Sequence, residues 1–215
     1  EQTVHPHYSF SHEDNGNHVY TFDYYIPMGF SYDCYMTRSQ LEEHFQETSR
    51  PYLMLNALVV EDAQAEALSF MPTMTQTDLT AEMMDLDRVI PQRRAYTADD
   101  FTYTKNGFAC TFAAQGKQVV FFSIPYEDGW RATVNGQPAE ILRVNLGFMA
   151  VVCDEGDNEI VFSFTTPGLR TGAMVAVGAA LATIIYLGYD NHVIKKRKNA
   201  ENLRQMAAIA QKSLD

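Results

Sequence analysis

Residues Thr171 to Tyr189 read TGAMVAVGAALATIIYLGY, an uncharged and mostly apolar run of 19 residues. As a helix rising about 1.5 Å per residue it spans roughly 28 Å, close to the hydrocarbon thickness of a bilayer. The expected element is one transmembrane helix over residues 168–189. Lys195, Lys196, Arg197 and Lys198 follow it closely. Lys and Arg collect on the cytoplasmic side of membrane helices, so residues 1–167 are expected outside the cell and residues 190–215 form a basic cytoplasmic tail. Leu203, Met206, Ala207, Ala210 and Leu214 fall at helical spacing in that tail, which fits a short amphipathic helix on the inner surface or a partner.

A long segment ahead of the helix needs a signal or an earlier membrane span to carry it across, and the stretch after Glu1 has neither a basic region nor an apolar one. An upstream membrane segment is therefore expected, which makes this chain the C-terminal piece of a larger membrane protein. A cleaved signal peptide in front of a single-pass ectodomain is the alternative. Gly168, Gly172, Ala176 and Ala180 recur every fourth position, a small-residue stripe against which a neighbouring membrane helix can pack; an alanine-rich anchor with incidental spacing is the plainer reading.

Charge divides at the same place. Through Leu169 there are 9 Lys and Arg against 24 Asp and Glu, a net of −15; from Arg170 onward the counts are 7 and 3, a net of +4, consistent with the whole chain's −11. So acidic an outer region argues against nucleic acid as a partner, and against docking on anionic lipid head groups. Cys34, Cys110 and Cys153 are too few and too scattered for a disulfide scaffold or a zinc motif; the last two sit in strand-like runs and read as small buried side chains.

The outer region reads as mainly β with minor α, an antiparallel sandwich with helical insertions. Asn15-Gly16-Asn17 marks a turn, and VYTFDYYIPMGFSYDCYM from Val19 is dense in aromatic residues, bent at Pro27 and Gly29. These rings fit core packing better than a surface for stacking on sugars. Thr37 with Gln40, and Ser39 with Glu42, are overlapping capping-box candidates for a short helix that ends before Arg50-Pro51. PYLMLNALVV suits a turn or two of helix running into a strand, and TAEMMDLDRVI has helical character. From Phe101 onward strands alternate with turns: Asn106-Gly107 and Asn135-Gly136 are hairpin signals expected at positive φ, and further strands are expected near 138–144, 147–153 and 158–165.

No phosphate-binding glycine loop, GxSxG or HExxH occurs, and the carboxylates lie at no spacing that marks an acid/base pair. No catalytic, cofactor-binding or metal-binding residue is assigned. His5 and His7 alternate as strand neighbours on one face would, so a metal site there is conceivable, although a solvated segment explains the composition as well. The best candidates for touching a saccharide are Tyr126, Glu127, Asp128 and Trp130, since an aromatic face with carboxylates can stack on a pyranose and accept its hydroxyl protons. Against this, a Trp that begins a strand is more often core.

FDYYIPMGFSYDCYM at 22–36 and FFSIPYEDGWRATVNGQPAEILRVNLGFMAVVCDEGDNEIVFSF at 121–164, with a membrane helix just after, resemble the C-terminal portion of the bacterial YfhO family of membrane proteins. The most specific pieces are Pro125-Tyr126 with Gly129-Trp130, Asn135-Gly136, Asn145 with Gly147-Phe148-Met149, and Pro167-Gly168. The resemblance implies a large polytopic protein of the bacterial plasma membrane, similar to GT-C glycosyltransferases, that moves sugar from a polyprenyl-phosphate carrier to a cell-envelope polymer. It also implies that catalysis depends on N-terminal membrane helices outside this chain, so no family catalytic position falls on it. The alternative function is a non-catalytic, membrane-anchored β-sandwich that binds glycan or a protein.

Overall fold

A computed structural model describes residues 7–75, 78 and 80–212. The chain separates into two compact units, divided between Thr165 and Thr166. The first is mostly β. A two-stranded hairpin, β1 (Tyr8–Asp14) and β2 (Asn17–Phe22), turns at Asn15 and Gly16, both at positive φ. A six-stranded sheet has the order β3 (Phe30–Tyr32), β8 (Gln118–Pro125), β12 (Phe148–Cys153), β11 (Leu142–Val144), β5 (Leu58–Val60) and β4 (Tyr35–Thr37). A five-stranded sheet has the order β10 (Gln137–Ala139), β9 (Trp130–Val134), β13 (Gly156–Phe164), β7 (Gly107–Ala114) and β6 (Asp99–Thr104). Every named pairing is antiparallel except β4 with β5.

The continuous apolar run VVFF in β8 has a structural cause. Val119 and Phe121 join one buried cluster while Val120 and Phe122 join another, so this strand is covered on both faces. The second cluster draws Phe108, Cys110, Ile160 and Phe162 from the five-stranded sheet and Phe122, Met149 and Val151 from the six-stranded one, with Phe122 and Phe162 rings 4.9 Å apart. Apolar burial of this kind contributes about 25 cal/mol per Å² and is the main force holding the layers. Cys110 and Cys153 lie in this cluster as free thiols, and burial pushes both up to about 12.

Helix α1 (Arg38–His44) starts at the capping box read from the sequence: Gln40 N donates to Thr37 Oγ1 at 3.2 Å, and Thr37 N donates to Gln40 Oε1 at 2.8 Å. Helix α1 ends at His44, ahead of Arg50-Pro51 as expected, although the proline is not what ends it. Arg50 is the first residue of a second helix, α2 (Arg50–Asn56), with Pro51 in its first turn. There a proline forfeits only an N–H that has no helical partner, so it opens a helix instead of ending one. Helix α2 then leads into β5 as the sequence suggests, and Leu41, Leu53, Ala57 and Val59 form a third cluster beneath the two helices. Helix α3 (Leu86–Arg94) takes up the second half of TAEMMDLDRVI after a 3-10 turn at Ala81–Met84.

Both Asn-Gly hairpins are present, on different grounds. Asn135 and Gly136 adopt positive φ between β9 and β10, as expected. Between β6 and β7 the two-residue turn is Lys105-Asn106, because Thr104 already pairs with Gly107, and neither Asn106 nor Gly107 has positive φ. Glycine is needed at 107 for space: a Cβ there would lie 1.9 Å from the carbonyl oxygen of Phe162. The single strand expected near 138–144 is two, β10 and β11, which belong to different sheets. The aromatic segment after Val19 also divides, at Gly29: Phe30, Tyr32 and Tyr35 are core, whereas Phe22 and Tyr25 are exposed.

The second unit is a single helix, α4 (Leu169–Lys212), which follows Gly168 at positive φ and continues without interruption past Tyr189. Asp190 to Ile194 contains no Gly or Pro to stop it. Within it, Leu169–Arg204 is long and apolar enough to cross a membrane, with mean hydropathy 1.8 over its most apolar window. Of the residues called on above, His5 and Leu214, with the side chains of Ala207 and Ala210, lie outside those described.

Candidate functional site

The four residues proposed for saccharide contact sit together in the β8–β9 loop and at the start of β9. Tyr126 N donates to Gly147 O at 2.8 Å and Trp130 N to Glu127 O at 3.0 Å, so the backbone is tightly held. Gly129 allows the close approach, since a Cβ would lie 2.4 Å from Thr165 O. The Trp130 indole is half-buried, 5.1 Å from the Phe164 ring and 6.0 Å from Phe108, and Tyr126 packs on the same cluster. Glu127 and Asp128 are exposed. Both aromatic side chains are thus committed to packing while the two carboxylates face water. None of the four lines the cleft described next.

That cleft measures about 580 Å³ and is walled by the aromatic segment, α2, α3 and the six-stranded sheet. Its size is ordinary for a small-molecule site. Phe22, Tyr24 and Ile26 form one side, Phe30, Phe121 and Phe148 the floor, and Met54 and Ile90 the helical side. Beneath it lies a closed polar network. The Tyr32 hydroxyl donates to Met54 O at 2.6 Å and accepts from Asn145 Nδ2 at 3.0 Å, while Asn145 Oδ1 accepts from Val59 N at 2.8 Å. Burial pushes the Tyr32 phenol up to about 12, so it is a neutral donor at ordinary pH.

Two arginines at the end of α3 set this geometry. Arg93, nearly buried, donates to the carbonyls of Leu55, Ser31 and Asn56 at 3.0, 3.0 and 2.8 Å and to Asp33 at 3.1 Å, with its guanidinium 4.9 Å from the Tyr32 ring centre. It ties β3 to the end of α2. Arg94 donates to the carbonyls of Tyr25 and Asp23 and stacks on Tyr25 at 5.1 Å. At the other end of α3 the Tyr24 hydroxyl donates to Asp87 at 2.6 Å, and chiefly through that bond the phenol is raised to about 12. Helix α3 therefore holds the segment Asp23–Tyr25 at both ends and keeps the cleft open.

Sequence reasoning weighed the aromatic surface around Phe22 and Tyr24 but passed over Arg93, Arg94 and Asn145 as site-forming. A pair of arginines in the last turn of a helix looks like ordinary dipole complementation, and the carbonyls they bind are distant in sequence. Among the described residues no group of three or more His, Cys, Asp or Glu is placed to hold a metal ion. His7 stacks on Tyr24 at 4.0 Å.

Comparison with known proteins points to a class: the model of the family described as bacterial membrane protein YfhO matches residues 80–176, so that part of the chain is similar to that membrane-protein family. The particular relative is the uncharacterized protein YfhO of Bacillus subtilis (strain 168), 24% identical over 102 residues, which are 47% of this chain and 12% of that protein. The chain thus corresponds to a small part of its relative's length. No solved structure matches.

Proposed function

We propose that this chain is the C-terminal extracytoplasmic β-sandwich and last membrane helix of a polytopic bacterial membrane protein that glycosylates a cell-envelope polymer from a polyprenyl-phosphate sugar donor. The observation that carries the reading is the YfhO-family match over residues 80–176, which runs from the β-rich unit into an apolar helix long enough to cross a bilayer. In this reading the chain is accessory. Its described residues offer no positioned base beside a donor cavity, and one membrane helix cannot enclose a polyprenyl phosphate. The partners are the bilayer and the membrane helices of the rest of the protein. The test is transfer from a lipid-linked sugar by purified residues 1–215 beside the full-length protein. Turnover by the complete protein alone is expected; turnover by the fragment would move the active site into this chain, with Glu127 and Asp128 the first suspects. The aromatic cleft favours a second reading, a non-catalytic module that binds glycan, and it would hold if the full-length protein also failed to transfer.

A further inference from the structure

We infer that the cleft beside α3, with the exposed face of the β1–β2 hairpin that leads into it, binds an uncharged saccharide through the faces of Phe22 and Tyr24. One face of the hairpin is aromatic. Tyr8 pairs with Phe22 and Phe10 with Tyr20 across the strands, with ring centres 4.8 and 5.8 Å apart, and Phe22 continues to Tyr24 at 6.1 Å. Phe10 is 58% exposed and Phe22 42% exposed. Phe22 also lines a second hollow of about 440 Å³ with Tyr25 and Arg94, so hollows flank the same ring. A two-stranded hairpin is marginal by itself in water, yet here three bonds from α3 hold its exit and keep the rings in place; His7 covers one face of Tyr24 at 4.0 Å, and Tyr24 and Phe22 both still line the cleft.

The choice of occupant follows from the polar groups. A pyranose has a C–H face that packs on an aromatic ring and a rim of hydroxyls that need partners. Beside the rings the cleft offers the exposed Ser123 hydroxyl, which has no partner among the described residues; outside the cleft lining, the exposed Asp87 carboxylate takes the Tyr24 hydroxyl on Oδ1. Tyr32 and Asn145 satisfy each other and the backbone, so they shape the floor without reaching for ligand. Charge at this end of the cleft disfavours anionic ligands: the Tyr24 hydroxyl sits among Asp87, Asp85 and Asp23, while the Arg94 guanidinium, which keeps its charge, points two of its donors at backbone carbonyls. A phosphate or uronate would meet like charge in this cluster. An aliphatic chain gains most where water is excluded, and this cleft opens widely to solvent.

The inference deepens the accessory role proposed above and rests on it for its biological setting, but its test reads binding and not transfer, so either can fail alone. Residues 1–215 in phospholipid nanodiscs are titrated with maltotriose, chitotriose and glucose 1-phosphate, with saturation-transfer NMR as the readout. Saturation transfer to at least one neutral trisaccharide is expected, with little to glucose 1-phosphate. Phe22→Ala should weaken that binding about tenfold while the melting temperature holds; should it misfold, Phe22→Leu keeps the apolar bulk and removes the stacking face. Absence of binding by both trisaccharides, a preference for the phosphorylated sugar, or binding indifferent to Phe22 would each overturn the inference.

Discussion

At the scale of single residues, the rings of Trp130 and Tyr32 differ in what they can give up. Trp130 is half-buried against Phe108, Phe162 and Phe164, so Trp130→Ala is expected to lower unfolding free energy by about 2–3 kcal/mol, somewhat under the ~3–5 of a fully enclosed aromatic. Urea denaturation checks this. An unchanged midpoint with lost saccharide binding would return the binding role to the 126–130 loop. Tyr32 makes a different prediction, one of pH. Its phenol ionises near 10.0 in the unfolded chain and about 12 in the folded one, where burial keeps it neutral. A raised folded value means that the stabilisation is whole below pH 10 and is lost as pH rises toward 12. Cys110 and Cys153, raised from 9.0 to about 12, act in the same sense and bring the onset down to about pH 9. Denaturation midpoints should thus be level near pH 8 and fall steadily above pH 9. A midpoint that climbs with alkali would contradict the buried placement of all three groups.

Among the elements, the best test is the start of α1. Thr37→Ala removes the acceptor of the Gln40 N–H and frees the reciprocal Gln40 side chain, so a loss of about 1 kcal/mol is expected in thermal unfolding. No loss would mean that packing of Leu41 alone sets the helix. This cap was legible because its two partners are three residues apart, as were the turn at Asn135-Gly136 and the strand pattern from Phe101 onward. The less legible features all depend on residues far away in the chain. Gly107 needs to be glycine because Phe162 O lies against it. Gln137 to Val144 splits into two strands because its halves pair with β9 and β12 in separate sheets. The cleft was half-visible: its rings announce themselves by density, while Arg93 and Arg94, which hold it, show nothing in sequence of the carbonyls they will find.

For the whole molecule, the basic cluster Lys195–Lys198 beyond the apolar run predicts that residue 60 is outside the cell and residue 205 inside. Single-cysteine probes at the exposed Ala63, close to residue 60, and near residue 205, placed in the full-length protein with Cys34, Cys110 and Cys153 replaced by Ala, should be labelled by an impermeant maleimide before and only after permeabilisation, respectively. The reverse order would invert the topology. The strand order bears on how the β-rich unit withstands load. The chain leaves that unit from β13, which is paired on one side with β7 along eight residues and on the other with β9 along five. A terminal strand at a sheet's rim could be peeled away one bond at a time by thermal jostling of whatever is attached to it. Drag reaching Thr165 is instead met by two hydrogen-bonded ladders at once, so a tug on the tether is shared through the middle of the sheet before any strand can detach.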